Sequence, residues 1–296
     1  MPESTTSRRP AVAALALSLL LFAPSFAATK VAVDGLGVAT SASIRLVAGG
    51  AILLLIGHRS WRLVRVHWRP LAFLGVTGMG LQTFAVSIGI DAGTASLGAL
   101  ILGLEPVCIA LFGALLLREH PGTNMLIGLG LGLAGVVVVS GILTVGVSGT
   151  PLVAVLALAV TTVSFSIYAV RLPAVARLVG GIPTAGATMT AGGLAIVPFA
   201  LVEVLRGVAV HSDARASTIV GSAYLVIGQT VVGYALFVYA VSRLRSAQLA
   251  IMLYALPPLA VLADWILIGE RPHARDLVGG ALILLGVAVG TRNSAR

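Results

Sequence analysis

The sequence predicts an all-α integral membrane protein of ten transmembrane helices, arranged as two inverted repeats of five. Three observations predict it. Of 296 residues, 58% are hydrophobic and 10% charged, with a mean hydropathy of +1.06, far from the composition of soluble domains. The apolar residues fall in runs of about 20, the length a helix needs to cross a hydrocarbon core about 30 Å thick, and too long for barrel strands. Finally, the stretch Leu104 to Val136, LEPVCIALFGALLLREHPGTNMLIGLGLGLAGV, returns once, 151 positions downstream, as Ala255 to Val287, ALPPLAVLADWILIGERPHARDLVGGALILLGV. At that offset Pro106 falls on Pro257, Glu119 on Glu270, Pro121 on Pro272, Gly128 on Gly279 and Gly135 on Gly286. Apolar residues align by chance, but aligned Pro, Glu and Gly positions imply duplication.

In chain order, the first half (residues 10–143) reads as spans at Pro10 to Ala28, Val38 to Gly57, Leu71 to Ile90, Ala95 to Leu117 and Asn124 to Leu143. The second half (residues 152–291) reads as Leu152 to Val170, Thr184 to Leu205, Thr218 to Ala240, Gln248 to Ile268 and Leu277 to Gly290. Arg8 and Arg9 ahead of the first run also suit a cleaved signal peptide. Against that, an offset of 143 places Phe22 on Phe165 and Ala48-Gly49-Gly50 on Ala191-Gly192-Gly193, so the first span has a counterpart in the sixth.

Ten spans put both termini on one side, and the short-loop Lys/Arg bias chooses it. Thirteen basic residues, among them Arg59, Arg62, Arg65 and Arg69, lie on the terminal side and five on the other, so both termini are expected in the cytoplasm. The net charge of +9 follows from these loops and does not signal nucleic-acid binding, which needs a solvated basic face. With five spans per half, the halves insert in opposite orientations, a geometry that favours transporters.

Pro106 and Pro257 fall inside helices at similar depth, where proline frees a carbonyl that must face protein or a water-filled cavity, so they read as a pair of helix breaks flanking a midplane cavity or as packing kinks. Glu105 lies about 15 Å into its span, near the midplane, where an ionisable group usually faces a cavity or a partner. It reads as a proton-titratable or amine-binding carboxylate, or as a structural ion-pair partner. Its counterpart is Leu256. Arg45 in the second span reads as a partner for Glu105 or Asp264, or as a snorkelling interfacial residue. Gln82, Tyr168, Gln229, Tyr234 and Tyr254 add neutral polar groups suited to a small zwitterionic or amphiphilic solute, or to bonding between helices. Gly128 with Gly132 and Gly286 with Gly290 read as helix-packing pairs. Cys108 reads as a small core residue. All five histidines sit in loops without metal-ligand spacing, and no nucleophile constellation or phosphate-binding loop emerges. No metal or cofactor is expected.

The ten spans, the inverted duplication and the Pro, Glu and Gly positions ending each half resemble the EamA family of the drug/metabolite transporter superfamily. The resemblance covers nearly the whole chain, with Leu104-Glu105-Pro106 looking like a common form in that family and Ala255-Leu256-Pro257 departing from it. It implies a secondary carrier, commonly an exporter of amino acids, metabolites or drugs, with a central cavity between the repeats. The expected partners are a small organic solute, the lipid bilayer of the cell (inner) membrane and a coupling proton. A lipid-handling flippase or a membrane-embedded enzyme using the same cavity is the alternative.

Overall fold

A computed structural model describes residues 5–92, 102–140, 151–207, 216–268 and 274–291. Every regular element among the described residues is helical. The first half contains α1 (Thr5–Phe22), α2 (Ser25–Leu36), α3 (Val38–Ile56), the short α4 (Trp61–Val66), α5 (Trp68–Leu74), α6 (Leu81–Ala92), α7 (Glu105–Leu117) and α8 (Thr123–Ser140). The second contains α9 (Leu152–Val179), α10 (Gly181–Leu205), α11 (Ala216–Ala223), α12 (Tyr234–Val241), α13 (Ser246–Leu253), α14 (Leu256–Ile268) and α15 (Ala274–Thr291). Among the described residues, seven helical segments are long and apolar enough to cross a bilayer: Pro10–Leu36, Val38–Ile56, Trp68–Ala92, Leu152–Val179, Gly181–Leu205, Ala216–Val241 and Ser246–Ala263. Shorter apolar helices cover Glu105–Leu117 and Thr123–Val139. The chain is therefore a multi-pass membrane protein.

Several boundaries differ from the sequence reading. The first span does not end at Ala28 but turns at Ala23-Pro24 and continues to Leu36. Proline at position 24 is compatible with a turn because it fixes φ and needs no donor. The sixth span runs on to Val179 with Pro173 inside it. In the third and eighth spans, Gly75–Gly80 and Tyr224–Gly233 wind as π-helix, which no sequence pattern announced. Such widened turns inside α-helices are rare and concentrate at functional sites.

The duplication is visible in the backbone. Gly37 (φ 85°) joins α2 to α3, and Gly180 (φ 100°), 143 residues on, joins α9 to α10. These tight turns use the left-handed region that glycine enters without steric cost. Gly128 and Gly135 on α8 pack against Gly286 and Gly279 on α15 so closely that an added methyl would sit 2.6 Å from the facing carbonyl oxygen in each case. The two contacts exchange under the 151-residue offset. Small residues thus allow the close backbone approach on which helix association in lipid depends.

Two acids staple the ends of helices across the halves. Glu203, near the end of α10, accepts the amides of Ala39 (2.9 Å) and Thr40 (2.8 Å) and the Thr40 hydroxyl (3.0 Å), satisfying orphan donors at the start of α3. Glu119 follows α7, which ends on Arg118 in the left-handed region, and accepts the Ser246 amide at 3.4 Å at the start of α13. Glu270 and Pro272 lie outside the described residues.

Candidate functional site

The two helix breaks position the site. Residues 103–104 form a turn, and α7 begins at Glu105 with Pro106 in its first turn. Residues 254–255 form the matching turn, and α14 begins at Leu256 followed by Pro257 and Pro258. After the breaks, the Cys108 amide donates to Leu104 O at 3.0 Å and the Leu259 amide to Ala255 O at 3.2 Å, the same bond at the 151-residue offset. The prolines therefore sit at breaks between helices rather than at kinks within continuous ones. They occupy first-turn positions where the missing N–H has no intrahelical partner to lose. The Glu105 carbonyl at the start of α7 accepts a hydrogen bond from Ser166 Oγ at 3.3 Å.

Glu105 is half-buried at the start of α7. Its carboxylate is an electrostatic neighbour of Tyr234 and, one turn along α7, of Cys108.

Arg45 on α3 is 6% exposed, so it does not snorkel to an interface. Its Nε donates to Thr230 Oγ1 at 3.2 Å, and Tyr234 lies within hydrogen-bonding reach. Glycine one turn away makes this geometry available, because a methyl at Gly49 would collide with the Thr230 side chain. The π-helical stretch can then bring Thr230 against α3. Among the described residues no carboxylate forms an ion pair with Arg45, so the expected pairing with Glu105 does not form. The Asp264 side chain is outside the described set. Instead both charged residues lie in the electrostatic neighbourhood of Tyr234.

An aromatic chain holds Tyr234 in place. Its ring lies 4.9 Å from that of Phe22 on α1 and 5.8 Å from that of Phe237, and Phe237 is 5.7 Å from Phe165 on α9. Tyr168, 1% exposed, shares a hydrogen bond of 3.2 Å with Thr188 Oγ1. The other π-helical stretch makes room for it, since a methyl at Gly78 would meet the Tyr168 ring. Each π-helical stretch thus seats one residue of the cluster.

Gln229, next to Thr230, is 7% exposed and its Oε1 has no partner. The Tyr254 hydroxyl, fully buried at the second break, also lacks one, while its ring packs where Gly132 leaves space. Buried polar atoms left unpaired cost about 1–3 kcal/mol each. Gln82 is not drawn into the cluster. It is half-buried on α6, and its amide oxygen accepts from its neighbour Thr83 at 3.1 Å.

Thr230, Thr188 and Glu203 were not singled out by the sequence. Threonine is too common in membrane helices to stand out, and Glu203 shows only as an acid near a helix end.

The sequence profile of the EamA-like transporter family matches residues 9–141 and again 152–291. The chain is 31% identical over 289 residues, covering 96% of it and 94% of the other protein, to one named as a probable terminal-alkyne amino-acid exporter from Streptantibioticus cattleyicolor. It is 31% identical over 125 residues, 41% of this chain and 39% of the other, to an S-adenosylmethionine/S-adenosylhomocysteine transporter from Chlamydia muridarum. A solved crystal structure superposes with a TM-score of 0.80 over 96% of this chain and 97% of that one at 24% identity, a likeness of fold.

Proposed function

The chain belongs to the EamA-like transporter family, a family of transporters rather than enzymes, and on that premise we propose that it is a secondary exporter of a small organic solute. The solute is a zwitterion of the amino-acid type, carried across the cell (inner) membrane by alternating access. The observation that carries this reading is the convergence of Glu105 and buried Arg45 on Tyr234 without pairing with each other. An unneutralised buried guanidinium is costly, and a solute carboxylate would supply the missing anion. Glu105 would take the ammonium group or a coupling proton, and the unpaired Gln229 Oε1 and Tyr254 hydroxyl would meet the solute or its water. The name of the Streptantibioticus relative supports both the direction and the solute class.

In this reading the ten spans form two inverted repeats, residues 10–143 and 152–291, with both termini in the cytoplasm. The exchange of the α8–α15 contacts under the repeat offset supports it. The two half-helix pairs, α7 with its preceding turn and α13 with α14, rock about the midplane site.

The test is efflux of a labelled terminal-alkyne amino acid, and of its saturated counterpart, from proteoliposomes across a pH series. Glu105→Gln, inserted normally, is expected to lose at least about tenfold in rate, the worth of a charge-assisted hydrogen bond, together with the pH dependence. Wild-type transport by that variant at every pH removes the role assigned to Glu105. Translocation of labelled lipid without solute flux would replace the exporter by a flippase.

A further inference from the structure

We propose that the segment from Arg59 to Arg69 is a binding site for the anionic headgroups of phospholipids in the leaflet it faces. It reads RSWRLVRVHWR, and no acidic residue occurs anywhere between Asp34 and Asp91. Arg59, Arg62, Arg65 and Arg69 are all exposed, and among the described residues none of them forms an ion pair. Exposed apolar side chains are interleaved with them: Trp61 at 51%, Val66 at 74% and Trp68 at 58%.

The segment is held in place rather than trailing in solvent. Val64 packs against Leu71, Val175, Val179 and Ala187, which fastens α4 to the ends of α9 and α10. The Arg69 guanidinium carbon lies 5.7 Å from the Trp68 ring centroid. Exposed Arg177 adds a further cation on the adjoining turn of α9.

This combination fits a membrane surface. Tryptophan prefers the headgroup level, where its ring is in apolar surroundings and its N–H is wet. Arginine presents a planar fork that binds phosphate oxygens bidentately, which lysine cannot do. A charge bias alone would orient the chain during insertion, but orientation requires no tryptophans beside the arginines and no docking of Val64. Charge complementarity therefore selects an acidic phospholipid as the occupant.

The test uses the full chain carrying Trp265→Phe, which leaves Trp61 and Trp68 as its tryptophans. In phosphatidylcholine nanodiscs with a small fraction of lipid brominated near the headgroup, brominated phosphatidylglycerol is expected to be enriched at these tryptophans. The enrichment over brominated phosphatidylcholine, read from fluorescence quenching, should be about fivefold or more. It should shrink as salt rises. Arg59→Gln, Arg62→Gln, Arg65→Gln and Arg69→Gln together should bring the two lipids to parity. Equal quenching by both lipids in the Trp265→Phe chain overturns the proposal, and so does a preference that survives the four substitutions.

Discussion

The two helix breaks share a backbone and differ in chemistry. At the first, Glu105 opens α7 beside Tyr234 and within reach of the Arg45 cluster. At the second, Leu256 stands in the acid's place, and the flanking Met252, Ala255 and Leu259 join Ala16, Leu19, Leu20 and Val287 around an apolar groove of ≈ 250 Å³ that opens to the surface beside exposed Leu20. The breaks coincide at the 151-residue offset, turn for turn and bond for bond. The breaks thus share a backbone pattern and diverge in side chain: one presents charge and the other apolar surface.

The largest expected effect comes from exchanging the two breaks. Glu105→Leu combined with Leu256→Glu keeps composition and length, yet transport of a terminal-alkyne amino acid should fall about hundredfold, because charged hydrogen bonds are lost at one break and a carboxylate is stranded at the other. Efflux from proteoliposomes measures it, and activity comparable to wild type would make the two breaks interchangeable.

Arg45→Lys comes next. It preserves the charge but loses the planar donors directed at Thr230 and Tyr234. KM for carboxylate-bearing solutes should rise about tenfold, while an amine lacking the carboxylate is unaffected. An equal change for both compounds would assign Arg45 a structural role.

Filling the second break should have a smaller and more selective consequence. Ala255→Leu occupies part of the apolar groove, and each methylene excluded is worth about 0.8 kcal/mol, or roughly fourfold. KM measured along a homologous series of aliphatic amino acids should rise for the longest members and stay level for the shortest. A uniform rise would separate the groove from solute recognition.

Least is expected of Glu119→Ala, which removes one long acceptor contact to the Ser246 amide at 3.4 Å. A helix cap of this kind is worth about 1 kcal/mol. A thermal-melt shift of a few degrees should appear, with solute selectivity unchanged. Altered selectivity would mean that the staple feeds into the site.

Much of the scaffold was legible because it is written in residues whose backbone or charge behaviour is local. The apolar runs announced helices, and proline at 106 and 257 announced the breaks. Gly128 and Gly286 announced a close helix contact that the structure contains. Of the candidate site, Arg45, Glu105, Tyr234 and Tyr168 are brought together, whereas Gln82 is bonded to its neighbour on α6. Its pattern could not reveal this, because a polar residue in an apolar run looks the same whichever way its helix is rotated.

By itself, then, the sequence determined a helical membrane protein, its duplication and the positions of its two breaks. Each depends on local backbone chemistry or on the length of chain needed to cross the hydrocarbon. Only the tertiary structure decided that Arg45 meets Thr230 and Tyr234 rather than Glu105, that Glu203 caps α3, and that the π-helical turns seat Thr230 and Tyr168. The physical reason is the solvent. In a bilayer the face toward lipid and the face toward protein are both apolar, so the hydrophobic periodicity that orients a helix in water is nearly absent. Rotation and partner choice are left to side-chain packing between segments far apart in the chain.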